Sequence, residues 1–282
     1  MKFGAFSFNT DYGMRADTLA VELEDRGYES IWVGEHTHIP ADRRSPYPGG
    51  GELPRPYYHM VDPFVSLMAA AGATKHLKVA TGICLVIERD PITLAKEVAS
   101  LDMLSNGRFL LGIGGGWNAE EMENHGTPFP RRWKILREHM EAMKTIWAEE
   151  EASYQGEFVN FERIISYPKP VQAPHPPIIY GGGTEQGVRR VVRYCDGWLP
   201  FDVMGGEFDR LVGVLHQECD AAGRDPASIG ISMFCFRKPD AATIERYLGL
   251  GVERVVLVTP READATLTYL DEFVPLLEQF PA

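Results

Sequence analysis

Cysteine is scarce in this chain, and the four present, Cys84, Cys195, Cys219 and Cys235, stand far apart. No CxxC occurs, which argues against a disulfide framework and against a structural zinc site. Long apolar runs are missing too. None approaches the roughly 18 residues that a membrane helix needs, so no membrane partner is expected. Positive charge is in deficit, with 28 Lys and Arg against 40 Asp and Glu and a net charge of −12. That balance argues against nucleic acid or an anionic membrane as partner. The arginine clusters Arg131-Arg132, Arg189-Arg190 and Arg193 read as solvated helix faces. The opening "MKFGAFSFNT" reads as a strand rather than a charged leader with an apolar core. The expectation is therefore no signal peptide and a cytoplasmic protein. GxSxG, a P-loop, HExxH and a Cys–His nucleophile arrangement are all absent.

What the chain does contain is alternation. Short apolar runs lie near 3–8, 29–34, 77–84, 108–113, 177–181, 196–199, 229–236 and 253–258. Amphipathic, helix-period segments follow them near 15–27, 62–75, 91–105, 130–149, 184–194, 205–223, 240–249 and 262–279. Strict strand–helix alternation implies a parallel sheet, and eight units of it imply an α/β fold closed as a (β/α)8 TIM barrel. Residues 1–282 read as one domain. The runner-up is an open doubly wound sheet, which would place a glycine fingerprint in the first strand–helix turn; only "SFNTDYGM" stands there. Two insertions exceed the minimal barrel. Residues 37–60 follow strand two, are rich in Pro and Gly, and predict a lid or wall over the functional end. Residues 150–176 precede strand five and predict a structural hairpin with a proline-braced return.

Two glycine triplets share one layout. "RFLLGIGGGWNAEE" and "PPIIYGGGTEQGVRR" each end an apolar run in three glycines before a helix. Glycine inside an element costs roughly 0.5–1 kcal/mol against alanine, so each triplet suggests backbone brought close to something. In a barrel both lie at the C-terminal ends of strands, the end that carries function. Thr184 can cap the helix after the second triplet, and the free N–H groups there favour an anion. A plain tight turn is the alternative. Glu35, His36 and His38 follow strand two in "GEHTHIP". No other strand end supplies a His, so a titrating imidazole beside a substrate is preferred to a metal site. Hydrogen bonding within the barrel top is the alternative use.

The segments "SIWVGEHTHIP", "KVATGICLVIERDPITLAKEVASLDMLSNGRFLLGIGGGWNAEE" and "YPKPVQAPHPPIIYGGG…CDGW" resemble the luciferase-like monooxygenase superfamily, and within it the F420-dependent oxidoreductases of actinobacteria. The likeness covers most of residues 1–200, in the right order. It implies a barrel that binds coenzyme F420, or alternatively FMN, at its C-terminal mouth, as a homodimer acting on a small-molecule substrate. Carried over by position, Gly182, Gly183 and Thr184 would hold the cofactor phosphate. Gly115, Gly116, Trp117 and Asn118 would run beside the cofactor. Thr81, Gly82 and Ile83 would back its ring, with a cis peptide at Gly82–Ile83. His36 and Glu35 would serve the chemistry. Trp117 or its neighbour stands where sugar-phosphate dehydrogenases of the superfamily carry glutamate, which speaks against glucose-6-phosphate as substrate. The resemblance implies hydride transfer, with FMN-dependent oxygen chemistry or a non-catalytic cofactor-binding barrel as alternatives.

Overall fold

The structure is a computed structural model that describes residues 1–281. Eight parallel strands close a barrel: β1 (Lys2–Ser7), β2 (Ser30–Val33), β3 (Lys78–Thr81), β4 (Phe109–Ile113), β7 (Ile178–Gly181), β8 (Gly197–Leu199), β9 (Gly230–Cys235) and β10 (Val252–Val258). Closure through β1–β10 pairing, with Phe3 opposite Val255, rules out the open sheet. An antiparallel hairpin, β5 (Ala152–Gln155) and β6 (Asn160–Ile164), lies outside the barrel, as the second insertion predicts. Its return is pinned by buried Asp102, whose carboxylate accepts from Val171 N at 2.7 Å and Gln172 N at 3.0 Å.

The helices are α1 (Ala16–Asp25), α2 (Pro63–Ala73), α3 (Pro91–Leu104), α4 (Ala119–Asn124), α5 (Arg132–Ala148), α6 (Glu185–Tyr194), α7 (Gly206–Ala222), α8 (Ala241–Gly249) and α9 (Ala263–Gln279). The sequence pattern gives eight, and the short α4 is the addition. Its six residues hold too little apolar periodicity to signal a helix. Side-chain caps start four of the others, α2, α3, α6 and α8. Asp62 and Asp90 each precede a proline at the first helical position and accept from the backbone N–H of Val65 and Thr93 at 3.0 and 2.8 Å; an aspartate cap followed by Pro at the first position starts a helix efficiently.

The core has two parts. One lies between the barrel and its helices. The other fills the barrel itself and takes one side chain from each strand: Phe6, Trp32, Ala80, Leu110, Ile179, Leu199, Phe234 and Val256. The barrel is therefore packed rather than hollow. At its N-terminal end Arg254, 3% exposed, donates to Glu29 at 2.8 and 2.9 Å and to Ser232 at 2.8 Å. At the other end four half-buried apolar side chains, Phe8, Ile83, Phe201 and Val258, form the top of the inner core.

Candidate active site

β3 ends at Thr81, earlier than the apolar run extends. The peptide after it, Gly82–Ile83, is cis, as the family resemblance implies. Cys84 then rejoins β4, its N–H donating to Gly112 O at 2.7 Å. Thr81 is buried, and its hydroxyl also donates to Gly112 O at 2.7 Å, so its side chain serves the β3–β4 junction. Gly112 must be glycine: a Cβ there would lie 1.9 Å from Thr81 O.

The two glycine triplets divide their work. Their first members make room for one side chain, because a Cβ on Gly114 or on Gly181 would lie 2.7 Å from Ile83. Ile83 is thereby seated at the barrel mouth. The second member of the first triplet, Gly115, lies flat against Trp133, with 2.2 Å from its Cβ position to the indole. Gly116 takes φ +61° beside Met122. In the second triplet, Gly182 takes φ +151°, where side chains are disfavoured. Its carbonyl accepts from Trp198 Nε1 at 2.7 Å and its N–H donates to Leu199 O at 3.2 Å. Gly183 faces only the tip of Met204. Thr184 caps α6 by accepting from Gly187 N at 3.0 Å. This turn is half-exposed at the mouth and bare of side chains, a shape that admits an anion to backbone N–H groups.

Glu35 and His36 are neighbours in sequence but turn to different partners, as consecutive residues of an extended segment do. Glu35 is buried; it accepts from Leu85 N at 2.6 Å and from Arg89 Nε at 2.8 Å. Arg89 further binds Asp62 and Glu97, tying the end of β2 to the start of α2 and the middle of α3. His36 instead places Nδ1 2.6 Å from Glu121 Oε2, on α4. The other Glu121 oxygen accepts from Thr37 N at 3.1 Å. Glu121 is fully buried. His36 meets Tyr57 and Trp117 with ring centroids at 5.4 and 5.7 Å. His38 does not join it: Thr37 Oγ1 lies 2.9 Å from His38 Nδ1 and 2.7 Å from His125 Nε2, out toward solvent. Among the described residues no three His, Cys, Asp or Glu side chains are grouped to hold a metal ion.

The segment 37–60 covers this corner. Ser45 docks it on α4 through two bonds, its N–H to Glu120 Oε2 at 3.1 Å and its Oγ accepting from Ala119 N at 3.0 Å. Near its far end, Asp11 N donates to His59 O at 3.1 Å. Tyr47 and Tyr57 stack their edges on each other and on Trp117. Docking of this segment helps to bury Glu121.

Three polar groups around the mouth have no partner among the described residues. Asn118 is 1% exposed, yet neither amide atom is hydrogen-bonded. Glu88 is buried with both oxygens free, and His125 Nε2 is 3.9 Å away. Burial above all, then the Glu121 and Glu35 carboxylates, push its acid up to about 9 against the pull of Arg89. Arg132 Nε is the third. The expected solvated arginine faces hold only in part. Arg131 pairs with Glu157, and Arg189 with Glu185 and Glu218. Arg132 and Arg190 instead turn onto Trp133, at 4.8 and 4.0 Å from the ring centroid, with no carboxylate partner among the described residues. Burial and the Arg190 charge lower the Arg132 guanidinium from its ordinary value. Two unneutralised guanidinium groups beside the Gly115 backbone and Tyr180 make a cationic corner in an acidic protein.

The sequence does not single out Glu121, Glu88 or Arg89, and it reads Arg132 and Arg190 as solvated helix faces. Glu121, Arg132 and Arg190 lie in helices, where charge ordinarily marks a wet face, and Glu88 and Arg89 in the connection before α3, where it does so equally. A closed α/β barrel with a His–carboxylate pair and a bare strand–helix turn at its C-terminal mouth has the form of a small-molecule enzyme of the TIM-barrel kind. The profile of the luciferase-like monooxygenase family matches residues 1–274, and this chain belongs to that family. It is 40% identical over 286 residues to an uncharacterized protein of Mycobacterium tuberculosis, covering 98% of this chain and 99% of that one. It is 34% identical over 205 residues to the oxygenase component of a flavin-dependent trigonelline monooxygenase of Acinetobacter baylyi, covering 71% and 52% of the two chains. Its fold superposes on an F420-dependent secondary alcohol dehydrogenase in complex with an F420–acetone adduct, with a TM-score of 0.80, 18% identity and 98% of both chains covered. No helix among the described residues is long and apolar enough to cross a membrane.

Proposed function

We propose that this chain is an F420-dependent oxidoreductase that moves a hydride between the deazaflavin and a small organic substrate, with His36 giving or taking the accompanying proton. The observation that carries this reading is the His36–Glu121 pair at 2.6 Å, held at the barrel mouth between Tyr57 and Trp117. A carboxylate on Nδ1 fixes the imidazole orientation and leaves Nε2 as the working nitrogen, which is the arrangement general acid–base catalysis requires. Glu35 then acts by position: its bonds to Leu85 N and Arg89 hold the backbone from which His36 projects.

The residues present fit the cofactor. Gly182, Gly183 and Thr184 would take the phosphate, because the turn is bare and opens a capped helix. Asn118 has both amide atoms to spare for the cofactor's polar edge. Gly82 and Ile83 would stand behind the ring, with Gly115, Gly116 and Trp117 as the side wall. Bound there, the deazaflavin supplies or accepts the hydride. Arg132 and Arg190 favour F420 over FMN: the glycine turn suffices for one phosphate, whereas the extra pair of guanidinium groups suits the further carboxylates that F420 carries. During oxidation of an alcohol, the C–H pair of electrons would leave as hydride and the O–H proton would pass to His36 Nε2; reduction runs in reverse. We further propose a homodimer, as the family resemblance implies, working in the cytoplasm.

The 34% identity to a flavin-dependent monooxygenase keeps oxygen chemistry as a second reading. Anaerobic assay separates the two. The F420-loaded protein, mixed with a panel of alcohols, should bleach the deazaflavin colour without oxygen. His36→Ala should slow that bleaching by roughly 10²–10⁴-fold at saturating cofactor and remove one limb of the pH profile. Oxygen uptake with reduced FMN and no bleaching with F420 would establish the second reading, and cofactor binding without any turnover would make the chain a binding protein.

A further inference from the structure

The mouth of the barrel is lined unevenly. Titratable groups gather after β2 and β4, while the ends of β8, β9 and β1 carry phenylalanines. Phe6 meets Phe8 and Phe234 at 5.3 and 4.9 Å between centroids. Phe234 meets Phe236 at 5.1 Å, and Phe201 meets Phe236 at 6.1 Å. Phe8 reaches across to Tyr57 at 5.4 Å, and Tyr57 to His36. These edge and tilted contacts form an unbroken aromatic belt that ends on the proposed proton carrier. Phe236 is 53% exposed, far more than a buried core ring. A cleft of about 630 Å3, a volume in the range of small-ligand sites, runs outward past it, Val258 and Pro260 to α9, where Asp264 and Glu272 line its wall. Lys238 lines that cleft and is paired with Glu272. Arg261 lies outside it, next to Pro260, with its guanidinium 5.9 Å from the Phe8 ring and no carboxylate partner among the described residues. The chain as a whole carries −12, so its overall field repels anions. A lone guanidinium kept at an aromatic rim in such a protein is a local attractor for an anionic group.

We propose that the substrate is an apolar, aromatic-bearing alcohol or carbonyl compound with an anionic group at its far end, the reacting oxygen toward His36 and the anion toward Arg261. The proposal rests on the functional reading above and narrows it. The ring of such a molecule finds edges and faces of phenylalanine to pack on. Its anion finds a planar donor fork. A sugar phosphate finds no hydrogen-bonding partner on the phenylalanine rings and no cluster of cations at the Arg261 end.

The test uses calorimetry on the cofactor-loaded protein with three probes: 4-phenylbutyrate, neutral 4-phenylbutan-1-ol and glucose 6-phosphate. Loading is read first, from deazaflavin fluorescence; failure there falls on the cofactor assignment, and the FMN-loaded protein then replaces it for the probe titrations. 4-Phenylbutyrate should bind about tenfold more tightly than the neutral alcohol. Arg261→Gln should erase that tenfold difference and leave the alcohol's affinity in place. Phe236→Ala should weaken both aryl probes by a similar factor. Glucose 6-phosphate binding as tightly as the aryl probes, no binding of either aryl probe, or an Arg261→Gln variant that keeps the carboxylate preference would each overturn the proposal.

Discussion

At the N-terminal end of the barrel, Arg254 is almost fully buried and wholly engaged. Two bonds go to Glu29 and one to Ser232, and Lys78 adds a second cation 2.9 Å from Glu29. Burial works against the Glu29 carboxylate, yet Arg254 outweighs it and holds the acid at about 2. At the C-terminal end Glu88 and Asn118 are also buried, and their side-chain polar atoms are unmatched. Among the described residues, five of the seven partnerless buried side-chain atoms belong to Glu88, Asn118 and Arg132. Buried polar groups are ordinarily satisfied, since an orphan costs about 1–3 kcal/mol. The N-terminal end is organised for stability. The C-terminal end leaves hydrogen-bonding capacity open, which is what a site awaiting a ligand requires.

Substitutions at the two ends should therefore act in opposite ways. The largest effect is expected at the N-terminal end. Glu29→Gln leaves Arg254 buried beside a neutral amide, and should destabilise the fold by about 3–5 kcal/mol while sparing cofactor affinity. Denaturant midpoints measure it; an unchanged midpoint would break the contrast.

Glu88→Gln should do the reverse. A carboxyl raised from an ordinary 4.5 to about 9 keeps its proton in the folded chain while the unfolded chain releases it. Its contribution to stability is whole below about pH 4.5 and is lost as pH rises toward 9. Glu35, Glu121, Arg89 and His125 are the charged or titratable groups that face it. The amide cannot titrate, so the stability difference in favour of Gln should grow between pH 6 and pH 8 by on the order of 2 kcal/mol. Parallel pH profiles for the two proteins would mean that Glu88 is not held neutral.

The smallest effect separates the glycine triplets. A side chain at Gly183 meets only the flexible tip of Met204, 2.4 Å from its Cβ position. Gly183→Val should keep the fold and weaken cofactor binding by roughly tenfold, about 1.4 kcal/mol. Gly115→Val drives a Cβ into the Trp133 ring and should cost stability instead. Equal behaviour of the two variants would erase the distinction between a packing triplet and a binding triplet.

The barrel was legible because period and punctuation carry it. Alternating apolar runs and helix-period segments mark eight strand–helix units, and the strands fall within a residue or two of expectation except at β3. There an apolar run continues to Cys84, and run length alone does not register the interruption at Gly82–Ile83. The site was half legible. His36, Trp117, Asn118 and both glycine triplets announce themselves as odd residues in ordinary places. Glu121 does not: in "NAEEMENHG" it resembles any solvated helix face, and its burial depends on a segment some 80 residues earlier folding over it. Glu35 and His36 look like a working pair because they are adjacent, and an extended backbone sends them apart. Arg132 and Arg190 look like surface charge because nothing local marks which helical face meets Trp133.

The most direct test of the account is a calorimetric titration of the chain with F420 and with FMN, repeated on the Arg132→Gln/Arg190→Gln double variant. The wild-type chain should bind F420 at least about tenfold more tightly than FMN, and the double variant should narrow that gap chiefly by losing F420 affinity. FMN binding as tightly as F420, or a double variant that leaves the gap untouched, would contradict the assignment of the C-terminal mouth to a deazaflavin.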